Sequence, residues 1–502
     1  YVDVSITNGL EYSNLTNMNL RGVNLEETNL NNATLIGVKS RLIKSNVKTK
    51  LPENYVIKDG FLLGPKVNLV AENFSGLNLT GINLTEANSE GANFSNTKLN
   101  YVKLTKTNLK QANLRGAELK NAEMDYTNIE NADLRDVIFT NTRGTNIKSN
   151  DYTTLPVNYV ILNEFLLGPG VSLQDITLNA SMDLSNLQLT RVNFESAKLS
   201  KANLTNTNFK AATLEGADLT KCLMKETNLT GANLTGATLK NITSENIVFD
   251  DKTQLPTNYK IIKKHLVGPY AQLDNIDFEK ADFRGTSLEY ASLKGANLKG
   301  ADLEDVSLKY ASLKGANLKG ANLKGARLEN AVLEDVTSGN IIISNETTVS
   351  SRYQLVNGYI VGKDVNIEDE DLGKGILESI DLTGVKMSGA NLSGLTFIDV
   401  KTRSIGTYDN LQLSEDYKIF GDSIIGPGVD ITDEKEDFKN ADLTNMKLIN
   451  AKFNEVDFSE ATLTGLQTSG SDNVSDIKLP DGYDVKYQSE NRKTYIIGPD
   501  VD

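Results

Sequence analysis

A single histidine, His265, and a single cysteine, Cys222, carry all the imidazole and thiol chemistry of this chain. One histidine excludes a zinc site built on several of them and leaves a Ser-His-Asp triad with one candidate base. One cysteine excludes an internal disulfide framework and a Cys-x-x-Cys metal site. No nucleophile elbow, phosphate-binding loop or His-Glu-x-x-His motif occurs. Carboxylates do pair, as at Glu368 and Asp371, but in a loop, where a solvated acidic turn is a simpler reading than a cation site. The expectation is no catalytic residue, no cofactor, no metal and no enzyme.

What remains is surface chemistry. Lys294, Lys299, Lys314 and Lys319 each follow a leucine, with Lys309 and Lys324 in the same place. Such a band could dock an acidic partner, against the simpler reading of a solvated face. Tyr290 and Tyr310 lie twenty residues apart and are candidates for a contact surface.

The elements that position these residues follow from a five-residue period. A leucine recurs without a miss at 288, 293, 298, 303, 308, 313, 318, 323, 328 and 333, mostly with Ala two residues before it. Five matches neither the 3.6 of a helix nor the 2.0 of a flat strand, so the chain turns a corner in every unit. Residues 288–307 and 308–327 agree at fourteen of twenty positions, which suggests four units and four faces per coil. Lys294 then stacks under Lys314, Lys299 under Lys319, Lys309 under Glu329, and Tyr290 under Tyr310. Coils should lie roughly 4.8 Å apart, the spacing of hydrogen-bonded strands.

At this point the chain resembles the pentapeptide-repeat family, whose consensus is A(D/N)LXX. The resemblance implies an all-β fold, a right-handed, four-sided β-helix, with the central Leu or Phe and the preceding Ala inward. It implies a fold far more than a function. Cys222 falls at the small inward position and reads as a buried thiol. Ser89 interrupts the leucine rank between Leu69 and Leu109, beside Phe74 and Phe94. Phe278, Phe283, Phe438, Phe453 and Phe458 read as plugs of the column near block starts. Asn-x-Ser/Thr, as at Asn83 and Asn228, is generated by the consensus itself and carries no weight alone.

The repeat comes in blocks, at about 15–35, 69–139, 184–239, 273–333, 372–397 and 438–463. Between them stands a second motif, LPENYVIKDGFLLGP at 51–65, with relatives at 155–169, 255–269, 353–363, 417–427 and 479–499. Asp59-Gly60 and Asn357-Gly358 tolerate the positive φ of a type I′ turn, so the motif reads as a β-hairpin that Gly-Pro ends. A rival reading makes these segments irregular coils. His265 occupies the place of Phe61 and Phe165 and reads as a packing residue. The resulting divisions are 1–50, 51–150, 151–250, 251–350, 351–412, 413–478 and 479–502, the last being the start of a further module. Tyr1-Val2-Asp3-Val4 continues a motif whose Gly-Pro is missing, and the chain stops at Asp502 just after Gly498-Pro499. The expectation is a window on a longer protein, or a subunit whose Asp502 end continues into Tyr1 of the next.

The net charge of −14 argues against binding nucleic acid through its phosphates and is consistent with plain solubility. No run of 18 apolar residues spans a membrane. These readings predict a structural rod, a fibre, scaffold or spacer that associates with itself or with other structural proteins. Long relatives with such hairpins look like proteins of viruses and aquatic microbes, which places the expectation outside the cell, on its surface or on a virion. Two alternatives come from other classes. One is an acidic DNA-mimic-type module acting on a topoisomerase, which needs a continuous acidic stripe. The other is an ice- or glycan-binding flat face, which needs threonine ranks that the sequence does not sustain.

Overall fold

A computed structural model describes residues 9–178, 181–432, 438–469, 477–488 and 493–499. It divides into two compact units, Tyr1–Thr257 and Asn258–Asp502. Both are built from β-structure, and no helix occurs among the described residues.

Each coil is four short rungs joined by four tight corners. The leucine N–H bonds to the coil above, as from Leu288 to the Ser307 carbonyl at 2.8 Å, and the residue before the leucine bonds to the coil below, as from Ser292 to the Ala271 carbonyl at 2.9 Å. Bridges therefore recur every twenty residues and run parallel: Asn68 to Asn88 to Asn108, and Asn297 to Asn317 to Thr337. Every internal coil thus spends its backbone groups on its two neighbours. A bond closes each corner, as from the Ala291 N–H to the Leu288 carbonyl at 3.0 Å. The second corner residue has positive φ, +63° at Gly295 and +59° at Tyr290, which explains why glycine is so common there.

The residue before each leucine has two uses. Its side-chain oxygen caps the corner, as Asn297 Oδ1 accepts the Lys299 N–H at 3.2 Å. Its amide joins a ladder, as Asn93 Nδ2 donates to Asn73 Oδ1 at 3.0 Å. Asparagine supplies both a donor and an acceptor for these two uses.

The interior is filled. All ten leucines from Leu288 to Leu333 are fully buried, and in the second unit one apolar core runs from Ile262 to Ile496. Where threonine replaces the inward alanine, its hydroxyl donates to the leucine carbonyl of the coil below, as from Thr107 to Leu84 at 2.7 Å.

Six antiparallel hairpins stand where the second motif predicts them. They pair Val56–Lys58 with Phe61–Leu63, Val160–Leu162 with Phe165–Leu167, and Lys260–Ile262 with His265–Val267. The others pair Tyr353–Val356 with Tyr359–Gly362, Lys418–Phe420 with Ser423–Ile425, and Asp484–Gln488 with Lys493–Ile497. Asp59-Gly60 and Asn357-Gly358 take positive φ at both turn residues, the type I′ pattern. Asn163-Glu164 and Lys263-Lys264 do so as well, without any glycine.

The hairpins pack into the column as well as interrupting the repeat. Leu62 packs into the core of Leu15–Ile43, while Phe61 meets Phe74 of the following coil with ring centroids 4.7 Å apart. The parallel ladder passes two of the hairpins on one face, where Lys39 pairs with Asn68 and Thr337 with Asn366, twenty-nine residues on instead of twenty.

Candidate interaction surface

Corners carry the side chains that face solvent, so the candidate surface is a set of corner ranks. Tyr290 and Tyr310 stack as the twenty-residue repeat predicts, with ring centroids 4.9 Å apart and planes 5° from parallel. Tyr270 extends the stack at 4.8 Å and 4°. The sequence reading missed it because Tyr270 follows Gly268-Pro269, just outside the phased block. The twenty-residue offset was the signal. Tyr290 and Tyr310 remain 45% and 50% exposed, which leaves their ring edges open to reagents.

The lysine ranks sit on the next two corners. Gly295 N–H bonds to the Lys314 carbonyl and Gly300 N–H to that of Lys319, each at 2.8 Å, so Lys294 does stack with Lys314 and Lys299 with Lys319. Lys314 is joined to Glu334 at 2.8 Å and Lys319 to the largely buried Glu370 at 2.6 Å. Lys309 meets Glu329 at 3.6 Å. Three lysines of the band, Lys309, Lys314 and Lys319, are therefore paired with carboxylates that follow it in the chain. The same pattern recurs elsewhere, as at Lys48–Glu27, Lys225–Glu245 and Lys439–Glu460. Exposed pairs of this kind are screened by solvent, so they set surface charge pattern more than stability. Tyr1 and Asp502 lie outside the described residues.

The residues with chemical potential are committed to packing. Cys222 is buried, its thiol donates to the Leu199 carbonyl at 3.1 Å, and burial pushes it up to about 12. His265 lies edge-on to Phe278 at 6.0 Å, in the role Phe61 has against Phe74. Glu368 accepts from Thr407 Oγ1 at 2.8 Å and Asp371 caps the Gly373 N–H at 2.9 Å. No group of His, Cys, Asp and Glu among the described residues is arranged to hold a metal ion.

Two devices at the hairpins escaped the sequence reading. The first is a hydroxyl clamp. Ser40 Oγ accepts the Leu62 N–H at 2.8 Å and donates to the Leu62 carbonyl at 3.1 Å, so it fastens the second hairpin strand to the coil beneath. Ser338 serves Ile360, and Thr468 serves Ile496, in the same way. At Gly144 the backbone carbonyl takes the Leu166 N–H directly, at 2.9 Å. The second is a tyrosine latch. The Tyr55, Tyr159 and Tyr259 rings lie against Gly64, Gly168 and Gly268, and their hydroxyls donate to the Pro65, Pro169 and Pro269 carbonyls. Burial raises all three phenols, Tyr259 to about 12. Both signals stood in the sequence, as Tyr nine residues before Gly and, at Ser40 and Ser338, Ser twenty-two before an apolar residue, while Thr468 stands twenty-eight before Ile496. Neither follows from local turn chemistry.

Coils of four five-residue rungs, an inward Leu rank and corner-capping asparagines agree with a repeat-family match. A family model for pentapeptide repeats matches eight copies, over residues 10–39, 73–111, 103–141, 188–225, 207–243, 270–300, 296–335 and 437–471, about half of the chain. This chain belongs to the pentapeptide-repeat family. Among solved pentapeptide-repeat structures it is similar to HetL, involved in heterocyst differentiation regulation in the cyanobacterium Nostoc sp. The identity is 22% over 54% of this chain and 89% of that one, with a TM-score of 0.14. A pentapeptide-repeat protein from the Arabidopsis thaliana thylakoid lumen is 24% identical over 27% of this chain and 74% of its own, with a TM-score of 0.14. QnrB1, a plasmid-mediated fluoroquinolone resistance protein, is 14% identical over 54% of this chain and 94% of its own, with a TM-score of 0.12. No curated protein sequence matches the chain. No helix among the described residues is long and apolar enough to cross a membrane.

Proposed function

We propose that this pentapeptide-repeat chain is a non-enzymatic structural element, a rigid scaffold or spacer that associates with further copies or with other structural proteins, outside the cell, at its surface or on a virion. The observation that carries this reading is the filled column. The inward ranks from Leu288 to Leu333 leave no interior space, and corner polar groups are spent on the ladder. Stability in such a stack is a sum of neighbour terms, so coils extend reach without altering a site. The lysine-to-carboxylate pairs between coils make a mixed-sign surface, which favours a scaffold over an acidic mimic of nucleic acid.

Electron microscopy with intact mass across a concentration series tests this. Filaments, or discrete elongated particles inert towards a topoisomerase, are the expected result. Inhibition of DNA supercoiling by the purified chain at stoichiometric amounts would overturn it.

A further inference from the structure

Three tyrosines, Tyr270, Tyr290 and Tyr310, are held face to face at one corner, and Tyr290 and Tyr310 stay about half exposed there. We propose that this rank is a site of oxidative tyrosine coupling, in which a one-electron oxidant of the peroxidase and hydrogen peroxide class joins Tyr290 to Tyr270 or to Tyr310.

The backbone holds the rings in register. The Tyr270, Tyr290 and Tyr310 N–H groups bond to the Glu289, Lys309 and Glu329 carbonyls at 2.9, 3.0 and 3.2 Å. Centroids 4.8 and 4.9 Å apart and planes 4° and 5° from parallel keep each ring in contact with its counterpart on the next rung. Proximity of this kind turns an encounter between two radicals into an event within one chain, at high effective concentration. The half-exposed rings of Tyr290 and Tyr310 also have room to tilt together.

The step balances. Each phenol loses one electron and one proton, so two phenols reduce one hydrogen peroxide to two waters. The two radicals form one Cε–Cε bond. The two displaced Cε hydrogens move to the oxygens as protons, restoring both aromatic rings and both hydroxyls. The product lacks two hydrogens and joins two coils covalently.

Tyr101 and Tyr126 are internal controls. Both occupy the same corner position with φ of +59° and +60°, and both are more exposed, at 62% and 56%. Twenty residues to either side of Tyr101 stand Gly81 and Asn121, and of Tyr126 stand Lys106 and Asn146, so neither has a ring to couple with.

The test treats the dilute full chain with peroxidase and hydrogen peroxide, then reads monomer mass, blue dityrosine fluorescence and cross-linked peptides. The expected result is a monomer lighter by two hydrogens, with the link mapped to Tyr290. Tyr290→Phe, which keeps the stacked ring, should lose the signal. Tyr270→Phe and Tyr310→Phe should each keep part of it. Asn330→Tyr, on the next rung at φ +60°, should add a link to Tyr310. An unchanged monomer mass, links through Tyr101 or Tyr126, or full signal from Tyr290→Phe would overturn the proposal. None of these outcomes depends on whether the chain is a scaffold.

Discussion

The ring of Tyr159 lies flat on Gly168, and its hydroxyl donates to the Pro169 carbonyl at 2.6 Å. A methyl group at Gly168 would overlap the ring carbons, although the backbone there is not strained. Gly168→Ala should therefore destabilise through overpacking, by about 1–3 kcal/mol. Tyr159→Phe keeps the ring and loses one hydrogen bond, worth about 0.5–1.5 kcal/mol. Urea denaturation of both variants checks the order. A Gly168→Ala chain as stable as the parent would show that the ring does not rest there.

Ser40 fastens Leu62 through both of its backbone groups. Ser40→Ala leaves a buried N–H without an acceptor, a loss of about 1–3 kcal/mol. Ser40→Thr should be tolerated, since Thr468 does the same for Ile496. Hydrogen exchange at the Leu62 amide is the direct reading. Equal protection in Ser40→Ala and the parent would exclude the clamp.

Ser89 replaces a leucine in the column, fully buried, and its hydroxyl has no hydrogen-bond partner in the protein. Phe74 and Phe94 stack 4.9 Å apart in the neighbouring rank. Removing a buried, unpaired hydroxyl should stabilise, so Ser89→Ala should raise the unfolding free energy by about 1 kcal/mol and the denaturation midpoint with it. A lower midpoint would show that the hydroxyl is bonded in solution.

Asp133 takes two side-chain hydrogen bonds from Arg135, at 2.7 and 2.9 Å, and these hold its carboxyl down from 3.8 to about 2. A depressed folded-state value means that the contribution is complete above pH 3.8 and is lost as pH falls towards 2. Thermal melts of Asp133→Asn against the parent should differ by a constant amount above that window and converge below it. A difference that persists at the acid end would assign the loss to shape instead of charge.

Some of this was legible because it is local or strictly periodic. The stacking of Tyr290 on Tyr310 needed only the twenty-residue offset, and the turns at Asp59-Gly60 and Asn357-Gly358 needed only residues that tolerate positive φ. The Lys263-Lys264 turn was not legible by that rule. Lysine resists positive φ by itself, and the pairing of Ile262 with His265 imposes the conformation.

Read alone, the five-residue period determined which side chains face inward, where the corners fall and where the hairpins interrupt, because burial pattern and turn chemistry act over a few neighbouring residues. Only the tertiary structure decided what the hairpins do. The second hairpin strand folds back over the coil that precedes it, so Ser40 meets Leu62, and it also packs on the coil that follows, so Phe61 meets Phe74, contacts that no local rule spans. It also decided the fate of the charges. Lys319 pairs with Glu370, fifty-one residues on in the chain, because the hairpin adds residues to that coil and brings a distant carboxylate beside it.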